Sequence, residues 1–392
     1  MNEDKATRYH RLKRQASLAS LLWSVVLLVG LSWSGWSLIL RSVAESVAQS
    51  LTALALPSGS SAAHLLSLRY VVSGFSRTVT IVIYVCLLSL THEIGSGPIS
   101  FYGGFLIERR YELSNERAGA WLRDQLKSLA IAWLLGCGGA LVIYALMVVS
   151  PERWWLAAGV VFAALIVGIT ELAPVLLLPL FYRVKPLDRE SLRTRLLRLA
   201  ERAGARVLGA YEWGLSGKTK KANAALAGLG ATRRILVSDT MLADYSDEEI
   251  EVVLAHELAH HVHGDIWKGI VFESGLMVAG FYLAARALDR LASPLALRSV
   301  ADIAGLPVLL LAAGAVSLVM LPAAHALSRA HERRADRFAL DLTRNPGAFI
   351  SAMRRLGGQN LAEERPSRVV QWLFYSHPPV RERIAAAEAF RA

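Results

Sequence analysis

His256-Glu257-Leu258-Ala259-His260 places two imidazoles four residues apart, with a carboxylate beside the first. On an α-helix, residues four apart share one face, so both rings can hold a single ion from the same side. The apolar flanks within residues 247–261 read as helix, the setting that an H-E-x-x-H zinc site requires. Zinc takes N, O or S donors in a tetrahedron and keeps one position open for catalysis. It brings a bound water's pKa near 7, and Glu257 can then take the proton as general base. Two histidines leave one protein donor to be found. The run Ser328-Arg329-Ala330-His331-Glu332-Arg333-Arg334-Ala335-Asp336 offers it. Glu332 and Asp336 are four apart and share a helical face. Glu332 can ligate, while Asp336 can accept the free N–H of a ligating histidine and fix its tautomer. On spacing alone, His331 is a rival to Glu332. His261 and His263 flank the motif but face away from the His256/His260 stripe, or nearly so.

These residues must be carried by a membrane protein. The chain is 54% hydrophobic, and its apolar residues gather in six stretches at 18–40, 70–90, 129–149, 154–181, 270–285 and 303–327. Most reach the ~20 residues that a helix needs to cross a bilayer. The shortest, 270–285, continues directly from the metal helix. The first is too long for a cleaved secretory signal. Basic residues alternate between the loops. The N-terminal tail holds Lys5, Arg8, Arg11, Lys13 and Arg14, and the next loop only Arg41 and Arg69. Arg109, Arg110, Arg117, Arg123 and Lys127 follow the second span, Arg153 alone follows the third, and a new cluster begins at Arg183. The alternation predicts both termini, and the active site, on the cytoplasmic side. It also accounts for the formal charge of +11, so no nucleic-acid partner is called for.

Outside the spans, an amphipathic helix is expected at 188–203, strands at 205–213 and at Arg234–Ser238, and helices after 328. The domain division is 1–182, a membrane domain with spans one to four, and 183–392, a protease domain with spans five and six (about 270–285 and 303–327). Cys86 and Cys137 both fall within spans and suit neither a cysteine zinc site nor a disulfide framework. Gly217-Lys218-Thr219 is not a phosphate-binding loop, because Glu212 stands where that pattern demands glycine.

Several separated blocks resemble one family, the integral-membrane zinc metalloproteases of the type 1 CAAX prenyl protease family, which are gluzincins. They are the H-E-x-x-H run, Ser328-Arg329-x-x-Glu332-x-x-Ala335-Asp336, Asn223-Ala224 with Gly228-Leu229, Arg234-Ile235 and Asp239-Thr240-x-Leu242, and Ser376-His377-Pro378-Pro379-Val380-x-Glu382-Arg383-Ile384. Pro98, Tyr102, Phe105, Glu108, Trp121, Asp124 and Lys127 are similar to the family's N-terminal membrane domain. Ala225 stands where the family usually has an aromatic. The resemblance implies a mainly α, polytopic membrane protein whose six or so spans form a chamber, with an α+β gluzincin-like domain. It makes Glu332 the third ligand of one Zn2+ and Asp336 its outer support. It makes Arg234, Ile235, Leu236 and Val237 an edge strand for an extended substrate. Asn223 and His377 would steady the oxyanion. The expected activity is a metalloendopeptidase acting on peptides or membrane proteins, lipidated or not, within a lipid bilayer. The Ala/Leu/Arg-rich composition suggests a bacterial inner membrane. A quality-control protease with the same chemistry is the alternative reading. A transporter with a structural metal is a third. It would need a fourth protein ligand and would leave Glu257 without a purpose.

Overall fold

The computed structural model describes residues 4–55, 62–228 and 232–391. Arg69 as a side chain, and Leu229 altogether, lie outside the described residues. The chain opens with α1 (Lys5–Trp33), α2 (Trp36–Ala55) and α3 (Ala62–Phe101), then a π-helical turn at Tyr102–Leu106 and α4 (Ile107–Arg110). Next come α5 (Ala118–Val149), α6 (Trp154–Leu176) and the single turn α7 (Leu178–Phe181). The polar part follows: β1 (Arg183–Pro186), α8 (Glu190–Arg202), β2 (Ala210–Gly214), β3 (Ala224–Ala227), β4 (Arg234–Ser238), α9 (Asp239–Asp244) and α10 (Asp247–Val262). Two long helices, α11 (Asp265–Leu291) and α12 (Leu306–Thr343), return through the apolar layer. The chain ends with α13 (Pro346–Gln359), α14 (Arg368–Phe374) and α15 (Val380–Glu388).

Five helices among the described residues are long and apolar enough to cross a membrane, those in α1, α3, α5, α11 and α12; α6 is a further 23-residue apolar helix. Their outward faces carry exposed Leu22, Leu134 and Val271, as lipid-facing positions should. Two expected spans have different limits. The stretch 18–40 is not one helix. It breaks at Ser34-Gly35, where Gly35 takes φ 80° and the Ser34 hydroxyl turns back to the Gly30 carbonyl at 2.6 Å. Glycine adopts that backbone without penalty, so the span ends at Trp33 and starts earlier, at Lys5. The stretch 154–181 is interrupted after Leu176, and Pro179, which has no N–H to donate, sits in the separate turn that follows. The fifth span is longer than its apolar core, 27 residues.

The four-stranded sheet has the order β1-β2-β4-β3, with β2 and β4 parallel and the outer pairs antiparallel. This overturns one expectation. Arg234, Ile235, Leu236 and Val237 form an inner strand, bonded to β2 on one side and β3 on the other. Its central residues are buried accordingly. Among the described residues the edge strands are β1 and β3, and β3 went unannounced by the sequence because four residues rich in alanine carry almost no strand signal. Leu192, Leu196, Ile235, Val237, Ile250, Leu254 and Phe349 close one core between sheet, α8, α10 and α13. A second core unites α3, α5 and α6 with α11 and α12, through Tyr84, Tyr144, Trp154, Phe281 and Leu309.

Candidate metal centre

The helix α10 starts where its sequence says it must. Ser246 accepts the Glu249 N–H at 3.2 Å, and the Glu249 carboxylate accepts the Ser246 N–H at 2.9 Å. This reciprocal pair satisfies two orphan donors of the first turn. It starts the register that puts His256, Glu257 and His260 on the inner surface. The helix stops at Gly264, whose φ of 66° lets the chain turn sharply into α11. The third element is α12, which continues past its apolar part and presents Glu332 and Asp336 to α10.

His256, His260 and Glu332 each offer a ligand atom within 4.8 Å of the others. His256 Nε2 lies 3.2 Å from Glu332 Oε2, and His260 Nε2 3.3 Å from Glu332 Oε1. The opposite ring nitrogens are already engaged. His256 Nδ1 is 2.9 Å from Asp336 Oδ1, and His260 Nδ1 is 3.1 Å from Asp265 Oδ2. Each Nδ1 proton therefore points at a carboxylate, which leaves Nε2 as a lone pair in the neutral ring. Lone pairs facing a carboxylate need a cation between them. Glu332 Oε2 is itself buried without a hydrogen-bond partner among the described residues. The separations of 3.2 and 3.3 Å agree with the ~3.3 Å edge of a tetrahedron with bonds of about 2.0 Å. Burial disfavours charge on His256, but Asp336 and Glu332 outweigh it and lift the ring to about 9. A site that favours a proton so strongly suits a cation competing for the same lone pair. The donor set fits a metal ion.

Glu257 lines a cavity of about 360 Å³ together with His256, Asn223, His377 and Arg383. Burial raises the Glu257 carboxyl above its usual range, and the two histidines only partly oppose this. Asn223 is exposed and is held through its backbone. Its N–H donates to Ser238 Oγ at 3.0 Å, and its carbonyl accepts the Ser238 N–H at 2.9 Å. It sits immediately before β3. His377 comes from the loop between α14 and α15, with Nε2 3.4 Å from Glu332 Oε1. Asn223, His256, Glu257 and His377 thus line one cavity, and His260, Glu332 and Asp336 meet His256 directly or through Glu332; the inner strand Arg234, Ile235, Leu236 and Val237 does not line it. His331 is not in the three-donor group, and its Nδ1 lies 3.8 Å from Asp265. His263 packs edge-on against Phe338.

Two residues at this centre were given no role by the sequence reading. Asp265 supports His260 and is also paired with Arg334 and, at 3.5 Å, with Lys268. Its only signal was a lone acidic residue opening the helix after the motif. Arg383 grips Asp336 with two bonds, of 2.6 and 2.9 Å. The segment Gly217-Lys218-Thr219 has a structural use instead: Lys218 pairs with Asp124, and Thr219 Oγ1 donates to the Leu113 carbonyl at 2.9 Å. It joins the polar domain to the membrane domain.

Known proteins share this architecture. Residues 186–391 match the profile of Peptidase family M48, and residues 2–183 match that of the CAAX prenyl protease N-terminal region with five membrane helices. The uncharacterized metalloprotease YhfN of Bacillus subtilis is 30% identical over 309 residues, 78% of this chain and 72% of that protein. CAAX prenyl protease 1 of Saccharomyces cerevisiae is 24% identical over 339 residues, covering 80% and 74%. The crystal structure of S. mikatae Ste24p superposes with a TM-score of 0.79 at 22% identity, covering 98% of this chain and 87% of that one.

Proposed function

The chain belongs to peptidase family M48 and is a multi-pass membrane metalloprotease related to the CAAX prenyl proteases; from that premise we propose that it is a zinc endopeptidase with its active site at the cytoplasmic mouth of the helical chamber. The observation that carries the reading is the convergence of His256 Nε2, His260 Nε2 and the Glu332 carboxylate beside a cavity that also holds Glu257. His256, His260 and Glu332 would hold the zinc, which supplies a Lewis acid that polarises the scissile carbonyl and acidifies water. Glu257 takes the proton of the attacking water and delivers it to the leaving amine. Asp336 and Asp265 hold the two histidines in the tautomer that ligates. Asn223 and His377, which line the cavity, would donate to the developing oxyanion. An extended peptide pairs with the free edge of β3, which borders the same cavity through Ala224. Met241, Val253, Met353, Leu356 and Val380 line part of the same cavity and favour an aliphatic side chain on the substrate. A zinc-dependent assay on fluorogenic peptides with aliphatic residues tests the reading. Cleavage should stop on chelation and return with zinc, and a protein that cuts equally well without metal would not be this enzyme.

Two further outcomes follow from the placement of groups. Asp265→Asn keeps an acceptor for His260 but loses the charge that strengthens it. Zinc affinity should fall by about 10–100-fold, as read by competition with a fluorescent zinc indicator. Unchanged affinity would remove Asp265 from this role. The second concerns orientation. Ser293 and Ser367 are both exposed, one in the α11–α12 connection and the other at the start of α14. In a background lacking Cys86 and Cys137, a cysteine at position 293 should react with an impermeant maleimide in intact cells, and one at 367 should not. The reverse pattern would invert the topology.

A further inference from the structure

A second polar cavity, of about 550 Å³, lies at the other end of the helix bundle, walled by α2, α3, the end of α5 and the α11–α12 connection. Three arginines line it: Arg41, Arg77 and Arg298. Two are neutralised within it. Arg41 pairs with Asp302, and Arg298 makes a two-pronged contact with Glu45, its longer arm 3.0 Å. Arg77 makes no ion pair or hydrogen bond among the described residues and is exposed. Arg41 Nε is buried without a hydrogen-bond partner among the described residues. Among the described residues the cavity therefore keeps one uncompensated cation and an unused buried donor. The metal centre uses none of these groups.

Its depth narrows the ligand. From Leu306, beside the cavity, to Glu332 at the metal centre, α12 rises about 39 Å. That is close to the ~40–45 Å of a bilayer with its headgroups, so the cavity lies near the polar boundary of the opposite leaflet. Exposed Trp33 and Trp36 flank the turn at the same end, and the neighbouring Ser37 hydroxyl donates to the Ala304 carbonyl at 2.6 Å. Tryptophan collects at that boundary in membrane proteins. Arg77 is near the start of the expected apolar stretch 70–90. A guanidinium is a planar fork matched to a phosphate, and it is only weakly hydrated.

We propose that this cavity binds a phosphate oxyanion, with Arg77 as the residue that captures it and the headgroup of an acidic phospholipid as its source. Free inorganic phosphate has the same chemistry, and the experiment separates the two. Full-length protein in a neutral detergent is titrated with phosphatidylglycerol, phosphatidylcholine or sodium phosphate, and occupancy is read by native mass spectrometry. Phosphatidylglycerol should be retained more strongly than phosphatidylcholine. Arg77→Gln should weaken that retention about tenfold or more, as expected for loss of a charge-assisted contact. Arg77→Lys should restore part of it. Arg77→Gln disturbs neither ion pair and should keep full peptide hydrolysis, which certifies its fold. Should sodium phosphate bind in place of the lipid with the same loss in Arg77→Gln, the site stands and its ligand is the free anion. Equal retention of the two lipids without phosphate binding, or a variant that binds as the wild type does, overturns the proposal.

Discussion

Glu257→Gln should leave zinc content near one ion per chain and lower peptide hydrolysis by about 10²–10⁴, the usual contribution of a general base. The substitution keeps the shape of the side chain and removes only its basicity. None of the three candidate donors is altered, and among the described residues Glu257 makes no hydrogen bond or ion pair with His256 or His260; Asp336 and Asp265 do that. The cavity wall also keeps its volume, so peptide binding should persist and the loss should fall on kcat. Metal analysis and turnover on the same preparation decide the matter. Wild-type turnover in the variant would show that another group moves the proton.

Glu332→Ala should strip the protein of zinc, whereas His331→Ala should leave the metal in place. Glu332 is buried and faces both Nε2 atoms, while His331 lies on the flank of α12 nearer Asp265. Removing Glu332 need not unfold the site, because His256 and His260 can become neutral and keep Asp336 and Asp265 as partners. Circular dichroism should therefore match the wild type while metal stoichiometry falls well below one. Asp336→Ala should lie between, about 10–100-fold weaker in metal affinity. It also leaves Arg383, largely buried, without its two-pronged partner. Unpairing a buried charge is costly, so this variant should lose thermal stability as well, which Glu332→Ala should not. If the His331 variant is the metal-free one, the third donor is misassigned.

What could be read along the chain was what the chain decides locally. Hydropathy over about twenty residues and a helical repeat need no distant partner. The membrane helices, α8 and α10 were therefore legible, and so was the strand β4. The Ser246 and Glu249 pair that starts α10 spans only three residues. The short blocks around Glu332, Asn223 and His377 were specific enough to point to the family to which the profiles assign the chain. Their spacing could not choose between Glu332 and His331; the resemblance did.

The remainder depends on long-range pairing. Strand order is a property of the sheet, so nothing within Arg234–Ser238 reveals that β3 covers its side and takes the edge. Asp265 and Arg383 matter because helices distant in sequence or separated by a sharp turn bring them against His260 and Asp336. The break at Gly35 was hidden because apolar residues flank it on both sides, and composition does not report a left-handed φ. Along the sequence Arg41 and Arg298 count only as loop charges, and Arg77 as an ionisable residue in or near a span. Only the packing of α2, α3 and the α11–α12 connection set two of them against Glu45 and Asp302 and left Arg77 unpaired among the described residues, because the balance of a charge is fixed by neighbours that the local sequence does not contain.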